Sequence, residues 1–320
     1  MHVAIVGAGA LGRVYGVRLA VSGVTVTFVV RPARQAEQTP FKLVRIDGDR
    51  REDTLASPTR SATLPPSADC VVVCVRADQL DAPLHAELAG LPNVPVVMLT
   101  PMLPAEYAAL ERALGGKRLF AAMPGVVAYV NELDVTRYWV PRIAPTLVDE
   151  PRPPDPAVTA LVDALVASGL PARLELGVHE TNPATTVAFI PLFMGIDAAG
   201  GIDALLGDDA LLGMTLDAGK DGLALSRRLG KAAPWAGLLT RFAGRRTLRI
   251  GLAIARRRSK EAVAYVEEHF GHKLHTQNVA MAGAMVRLAT EKGTPNVALR
   301  ALLERLKEPD HAETAAPRPR

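Results

Sequence analysis

The first half of the chain alternates continuous apolar runs with stretches of helical spacing. HVAIVG, DCVVVCV and VPVVMLT show no polar alternation, which predicts strands buried on both faces, and VTVTFVV predicts a further strand. ALGRVYGVRLAVSG, ending at Gly23, and ADQLDAPLHAELAG have helical spacing and lie among them. Strands of this kind separated by helices predict a parallel sheet covered on both sides. FKLVRIDGDRREDT predicts a hairpin turning at Asp47-Gly48. LFAAMPGVV, RIAPTLVD and ARLELG predict further short strands, with DPAVTALVDALVASG a helix among them.

After Gly177 the pattern turns helical. DALLGDDALLGMTLDAGKDGLALSRRLG, SKEAVAYVEEHF and QNVAMAGAMVRLATEKG follow one another. In the last, Val279, Ala282, Val286 and Ala289 mark one face, and Gly293 with Pro295 predicts its end. NVALRALLERLK puts Leu299, Leu302, Leu303 and Leu306 on one stripe. The polar, Pro-rich stretch from Glu308 predicts disorder. The expected organisation is an α/β domain over 1–177, an all-α domain over 178–307 and a tail over 308–320.

A length of 320 residues accommodates two domains, and 49% hydrophobic with 22% charged residues is an ordinary globular composition. No apolar run is long enough to cross a bilayer, and no signal-peptide pattern precedes the first strand, so the expectation is a cytoplasmic protein. Cys70 and Cys74 read as small apolar residues on one face of a strand, poorly placed for a disulfide. Arg241 to Lys260 holds eight basic residues and no acid, which reads as a solvated helix face or an anion-binding one. No stacking aromatics or binding motif accompany it, so no nucleic-acid partner is expected.

The chemistry begins at MHVAIVGAGALGRVYG, where Gly7, Gly9 and Gly12 join a strand to a helix. In such a unit the first glycine permits the turn, the second admits a pyrophosphate and the third allows close helix–strand packing. The helix N-terminus, with Ala10 and Leu11, then offers N–H groups to the phosphates. A carboxylate after the second strand would bond the ribose of NAD. Arg31 stands there instead, with Arg34 behind it and no acid before Glu37. A guanidinium can bind a 2′-phosphate through two charge-assisted hydrogen bonds, so the expected cofactor is NADP(H).

VGAGALG, Arg31, VVVCVRADQ and the closing MVRLATEKGTPNVALRALL resemble the ketopantoate (2-dehydropantoate 2-) reductases over nearly the whole chain. The resemblance implies a Rossmann NADPH-binding domain and a helical substrate domain of the 6-phosphogluconate dehydrogenase C-terminal type. It also implies a homodimer and a small-molecule substrate. Arg76 stands where the family has a Lys, and Thr100 closes the strand before the position of its Asn, where this chain has Pro101. Ala184 falls at the family's catalytic Lys, Gln277 at its substrate-binding Glu and Tyr265 at a substrate-binding Ser. Between Lys117 and Lys220 there is no lysine at all.

Hydride reduction of a ketone makes an alkoxide that must be stabilised and protonated as it forms. Two segments offer replacements. YVEEHFGHKLHTQ holds His269, His272, Lys273, His275 and Gln277, either as acid–base groups or as a solvated helix–loop junction. Its HxxHxxH spacing does not set three ligands on one helical face, so no metal is expected. HETN offers His179 and Glu180, as acid or base or as hydrogen-bonding groups where the domains join. Thr185 and Thr186 could bond a substrate oxygen or, in a helix, the carbonyl one turn back. Asp78 reads as a helix cap, and Trp139 and Trp235 as packing residues. The altered positions, with apolar Phe189, Leu192 and Met194 nearby, point to reduction of a carbonyl or imine compound other than ketopantoate. The alternatives are 2-dehydropantoate 2-reductase activity through an altered site, and a non-redox NADP(H)-binding protein.

Overall fold

A computed structural model describes residues 1–308 apart from 48–50, 77–78, 92, 101, 103, 115–117, 142–143, 231–237, 239–243, 259–260, 262 and 266–274. The chain divides into two compact units, Met1–Asn182 and Pro183–Arg320.

In the first unit the four apolar runs become β1 (His2–Val6), β2 (Thr25–Val29), β6 (Cys70–Val73) and β7 (Val96–Met98). They pair in parallel with β5 (Thr59–Ser61) and β8 (Leu119–Met123) in the order β5-β2-β1-β6-β7-β8. Beyond β8 the sheet reverses: β11 (Thr146–Asp149) is antiparallel to β8, and β12 (Ala172–Glu175) is parallel to β11. The expected hairpin forms, with β3 (Phe41–Arg45) antiparallel to β4 (Glu52–Leu55), although the turn at Gly48 lies outside the described residues. It belongs to a second sheet, β4-β3-β10-β9, completed by β9 (Val127–Val130) and β10 (Val135–Trp139). LFAAMPGVV is thus divided between two sheets rather than being one strand.

Helix α1 (Ala10–Val21) contacts both sheets and is buried from Gly12 to Leu19, two charged residues included. Those two are paired. Arg18 reaches Asp53 of β4 at 2.7 Å, and Arg13 reaches Asp134 at 2.8 Å. Gly23, at φ +96°, follows the helix as the terminator expected of it. α2 (Ala82–Gly90) is capped by Asp81, whose carboxylate accepts from Leu84 N at 3.0 Å. α3 (Pro104–Ala113) and α4 (Pro156–Ala167) complete the layers, α4 capped by Asp155. Cys70 is buried, Cys74 packs on the same cluster, and both are free thiols.

α5 (Val178–Ala199) runs through the boundary between the units and contains Pro183 and Pro191. The second unit continues with α6 (Ile202–Gly207), α7 (Asp209–Leu229), α8 (Arg245–Arg258), α9 (His275–Glu291) and α10 (Val297–Lys307). A Cβ on Gly222 of α7 would stand 2.8 Å from the Val187 carbonyl oxygen, so glycine lets α7 close on α5. Asp221 of α7 accepts from Ala298 N and Leu299 N at 2.9 and 3.2 Å, capping α10 from outside. The leucine stripe of α10 is buried as expected. On α9 the buried stripe is Asn278, Ala282, Met285 and Ala289. Val279 and Val286 are only half-buried, because a polar residue, Asn278, takes the inward place to bond Asp197.

Candidate functional site

The glycine loop leaves β1 between two neighbouring strands. Gly7 N donates to Val29 O at 2.9 Å, and Cys74 N donates to Val6 O at 2.9 Å. Gly7 has φ +98°, which a side chain would strain, and its Cβ would lie 2.8 Å from Val75 Cγ1. A Cβ on Gly12 would overlap the Gly7 carbonyl oxygen, so the helix can pack here only as glycine. Gly16 continues the same logic and was not singled out in the sequence; a Cβ there would press into the Phe28 ring. Gly9 differs. It is exposed and caps α1 without a side-chain hydrogen bond, no acid stands in the first turn, and nothing lies within 4 Å of its would-be Cβ. The first N–H groups of α1, at half-buried Ala10 and Leu11, thus face a space open to an anion.

The loop is held from beneath by Arg13, which is 3% exposed. Its Nε donates to Ala8 O at 3.0 Å, and its guanidinium lies 4.6 Å from the centre of the Phe41 ring. Arg60 covers the ring at the same distance.

At the end of β2, Arg31 and Arg34 part company. Arg34 gives Nε and Nη2 to the two oxygens of Glu37 at 2.9 and 3.0 Å. The Arg31 side chain is exposed, with no hydrogen-bonding or ionic partner among the described residues, while its carbonyl oxygen accepts from Arg34 N at 2.8 Å. Arg76 is exposed just beyond β6, its backbone N–H bonded to Gln79 Oε1 at 3.2 Å. Thr100, beyond β7, is buried, and its hydroxyl donates to Val75 O at 2.5 Å.

His179, in the first turn of α5, forms a second centre. Its Nδ1 lies 2.5 Å from Asp149 Oδ2, while Asp149 Oδ1 accepts from Gly177 N and Val178 N at 3.0 and 3.1 Å. The Tyr107 ring stacks against the imidazole with centroids 6.1 Å apart. Burial, with Asp149 and Glu111 nearby, pushes the Tyr107 phenol well above its ordinary range, so it stays protonated and donates to Leu119 O at 3.1 Å. Glu180 Oε1 is 4.0 Å from His179 Nε2.

In the second unit His275 Nδ1 lies 3.1 Å from Asp197 Oδ2, and Asn278 Nδ2 donates to that same oxygen at 2.9 Å. Sequence reasoning named the histidine without its partner. His269, Lys273, Pro101 and Asp78 lie outside the described residues, as does the Gln277 side chain. Ala184 and Tyr265 are buried. Among the described residues no group of three His, Cys, Asp or Glu could hold a metal, and no helix is long and apolar enough to cross a membrane.

Residues 3–123 match the model of the family described as ketopantoate reductase PanE/ApbA, so the resemblance read from the sequence is borne out. No curated protein matches the chain. Solved structures share the fold. A 2-dehydropantoate 2-reductase from Geobacter metallireducens GS-15 superposes with a TM-score of 0.71 at 18% identity, covering 96% of this chain and 99% of its own. A dimeric ketopantoate reductase from Staphylococcus aureus gives 0.66 at 14% identity, covering 99% and 100%. D-mandelate dehydrogenase, in a ternary structure with NADH and anilino(oxo)acetate, gives 0.60 at 16% identity, covering 96% and 97%.

Proposed function

With residues 3–123 matching the ketopantoate reductase family, we propose that the chain is an NADPH-dependent oxidoreductase reducing a carbonyl or imine compound other than ketopantoate. The observation that carries the reading is the open cradle at Gly9, set between two glycines whose places are fixed by packing. A dinucleotide's diphosphate fits there against the N-terminus of α1, over Gly7, Gly9, Ala10, Leu11 and Gly12. Arg31 is the group for a 2′-phosphate. Arg34, already engaged by Glu37, serves as a second cation behind it. Arg76 and Thr100 close the strands that follow along the same edge. A reduced nicotinamide bound there supplies a hydride.

The choice of substrate rests on what this chain lacks. Buried Ala184 offers neither a proton nor a hydrogen bond where the family's lysine would act. Anilino(oxo)acetate in the D-mandelate dehydrogenase structure illustrates that the fold accommodates an aromatic oxo acid derivative. That agrees with the apolar, half-buried Phe189 and Leu192 in this chain; Met194, also apolar, is fully buried in the core. By analogy with the dimeric Staphylococcus aureus enzyme we also propose a homodimer.

Purified protein mixed with NADPH should shift or quench its fluorescence. NADPH should then be consumed with benzoylformate, an aromatic 2-oxo acid, in preference to ketopantoate. Ketopantoate as the better substrate would return the chain to the ordinary reductase activity. Binding without consumption of NADPH by either acid would leave a non-redox dinucleotide binder, and no binding would remove the assignment.

A further inference from the structure

We propose that His179 is the proton donor of this reduction and Asp149 its positioning residue, an assignment that rests on the reductase reading above. All the residues concerned belong to the first unit, together with the glycine loop. Sheet register places them. Val6, the last residue of β1, pairs with Val73, Val73 with Met98, and Met98 with Ala121. Leu147 pairs with Met123 and Val148 with Ala122, so one further step of that antiparallel register sets Asp149 beside Ala121. Asp149 therefore lies on the same row of the sheet as the residue from which the glycine loop departs.

Its place along that row matters equally. Arg31 at the end of β2 assigns the adenosine half of a dinucleotide to the β1–β2 side. The nicotinamide half then falls over β6 to β8. β11 is the next strand, roughly 10 Å from β7 at the ordinary spacing of neighbouring strands. The first turn of α3, with Tyr107, follows β7 directly and brings its ring onto the imidazole.

The pair is built for proton transfer. Asp149 is nearly buried and spends one oxygen on the N–H groups that open α5, which fixes the other against His179 Nδ1. A carboxylate on Nδ1 orients the ring, whose side chain is 46% exposed. The groups facing this imidazole are Asp149 from β11, Glu180 from its own helix and the neutral Tyr107 phenol from α3. A reduced nicotinamide held at the glycine loop would supply the hydride for the new C–H bond at the carbonyl carbon. The π-electron pair of the C=O bond moves to oxygen, and that oxygen takes the proton from Nε2, leaving neutral imidazole.

The test uses the full chain with NADPH and benzoylformate. H179Q should bind NADPH as the wild type does and lose kcat by roughly 10²–10⁴-fold. D149N should lower kcat with little change in KM, and D149E should restore part of the loss; a purely structural Asp149 would change stability or KM instead. A second readout needs no turnover and no variant. By ¹⁵N NMR, the His179 Nε2 resonance of the wild type should lie at different positions in the NADP⁺ and NADPH complexes at one pH, because the oxidised ring carries a positive charge beside it. Identical resonances in the two complexes, or undiminished turnover by H179Q, overturn the assignment. Wild-type protein that binds NADPH but oxidises it with neither benzoylformate nor ketopantoate removes the reductase reading itself, and the proton donor with it.

Discussion

Arg34 and Glu37 hold each other through two parallel hydrogen bonds of 2.9 and 3.0 Å, one turn beyond the end of β2. The bond to Arg34 keeps the Glu37 carboxyl below its usual range, so the pair remains ionised at neutral pH. Arg31, three residues earlier, is left exposed.

The two arginines should therefore differ. Arg31→Ala removes a hydrogen-bonded charge partner of about 1.5–3 kcal/mol, which corresponds to a loss of roughly 10–100-fold in NADPH affinity. NADH, which lacks the phosphate, should bind the variant almost as it binds the wild type. Arg34→Ala should cost less, mostly by freeing Glu37 to repel the phosphate. Fluorescence titrations with both nucleotides decide the matter; equal losses for NADH and NADPH would sink the role of Arg31.

The glycines of the loop separate folding from binding in the same way. Gly12→Ala forces a methyl onto the Gly7 carbonyl and should destabilise the first unit by about 1–3 kcal/mol, read from thermal or denaturant melting. Gly9→Ala has open space and an ordinary φ of −76°, so its stability should stay within about 0.5 kcal/mol of wild type. Its methyl occupies the cradle, however, and NADPH affinity should fall. A Gly9 variant with unaltered affinity would place the diphosphate elsewhere.

These contrasts mark what was legible in the chain alone. Buried parallel strands carry their signal locally, and β1, β6 and β7 are three uninterrupted apolar runs. The glycines were legible too, because turn geometry and close approach admit few alternatives. α5 was hidden by Pro183 and Pro191, which interrupt its helical pattern without ending it. Short β5 and polar β10 had no run long enough to read. The polar pairs were beyond reach for another reason: His179 finds Asp149 and His275 finds Asp197 across |i−j| of 30 and 78, through tertiary packing that no spacing encodes.

Arg18 and Asp53 form the most deeply buried ion pair among the described residues, at 4% and 6% side-chain exposure. Arg51 also reaches Asp53, at 3.1 Å, but is itself half-exposed. Removing one member of a buried pair strands the other without water. Arg18→Ala should accordingly cost about 3–5 kcal/mol, whereas Arg51→Ala should cost about 0–1 kcal/mol. Comparable small losses from both variants in urea melts would show that Arg18 gains little from Asp53.

Burial pushes both thiols, Cys70 and Cys74, up to about 12. At pH near 8 neither should react with a thiol reagent while the chain is folded, and both should react once it is denatured, since only the thiolate attacks. The same shift makes the fold sensitive to alkali. In the unfolded chain a cysteine gives up its proton near pH 8.5, whereas the folded chain keeps it. The stabilisation is thus fully present below about pH 8.5 and is lost progressively as pH rises toward the folded value, because hydroxide draws protons from the unfolded state first. Tyr15, raised in the same direction by its burial, adds to the effect at higher pH. Melting temperatures measured between about pH 7 and pH 11 should fall across that window, and replacing both cysteines by alanine should flatten the first part of the fall. An unchanged slope in the double variant would mean that the thiols ionise as readily in the folded sheet as in the open chain.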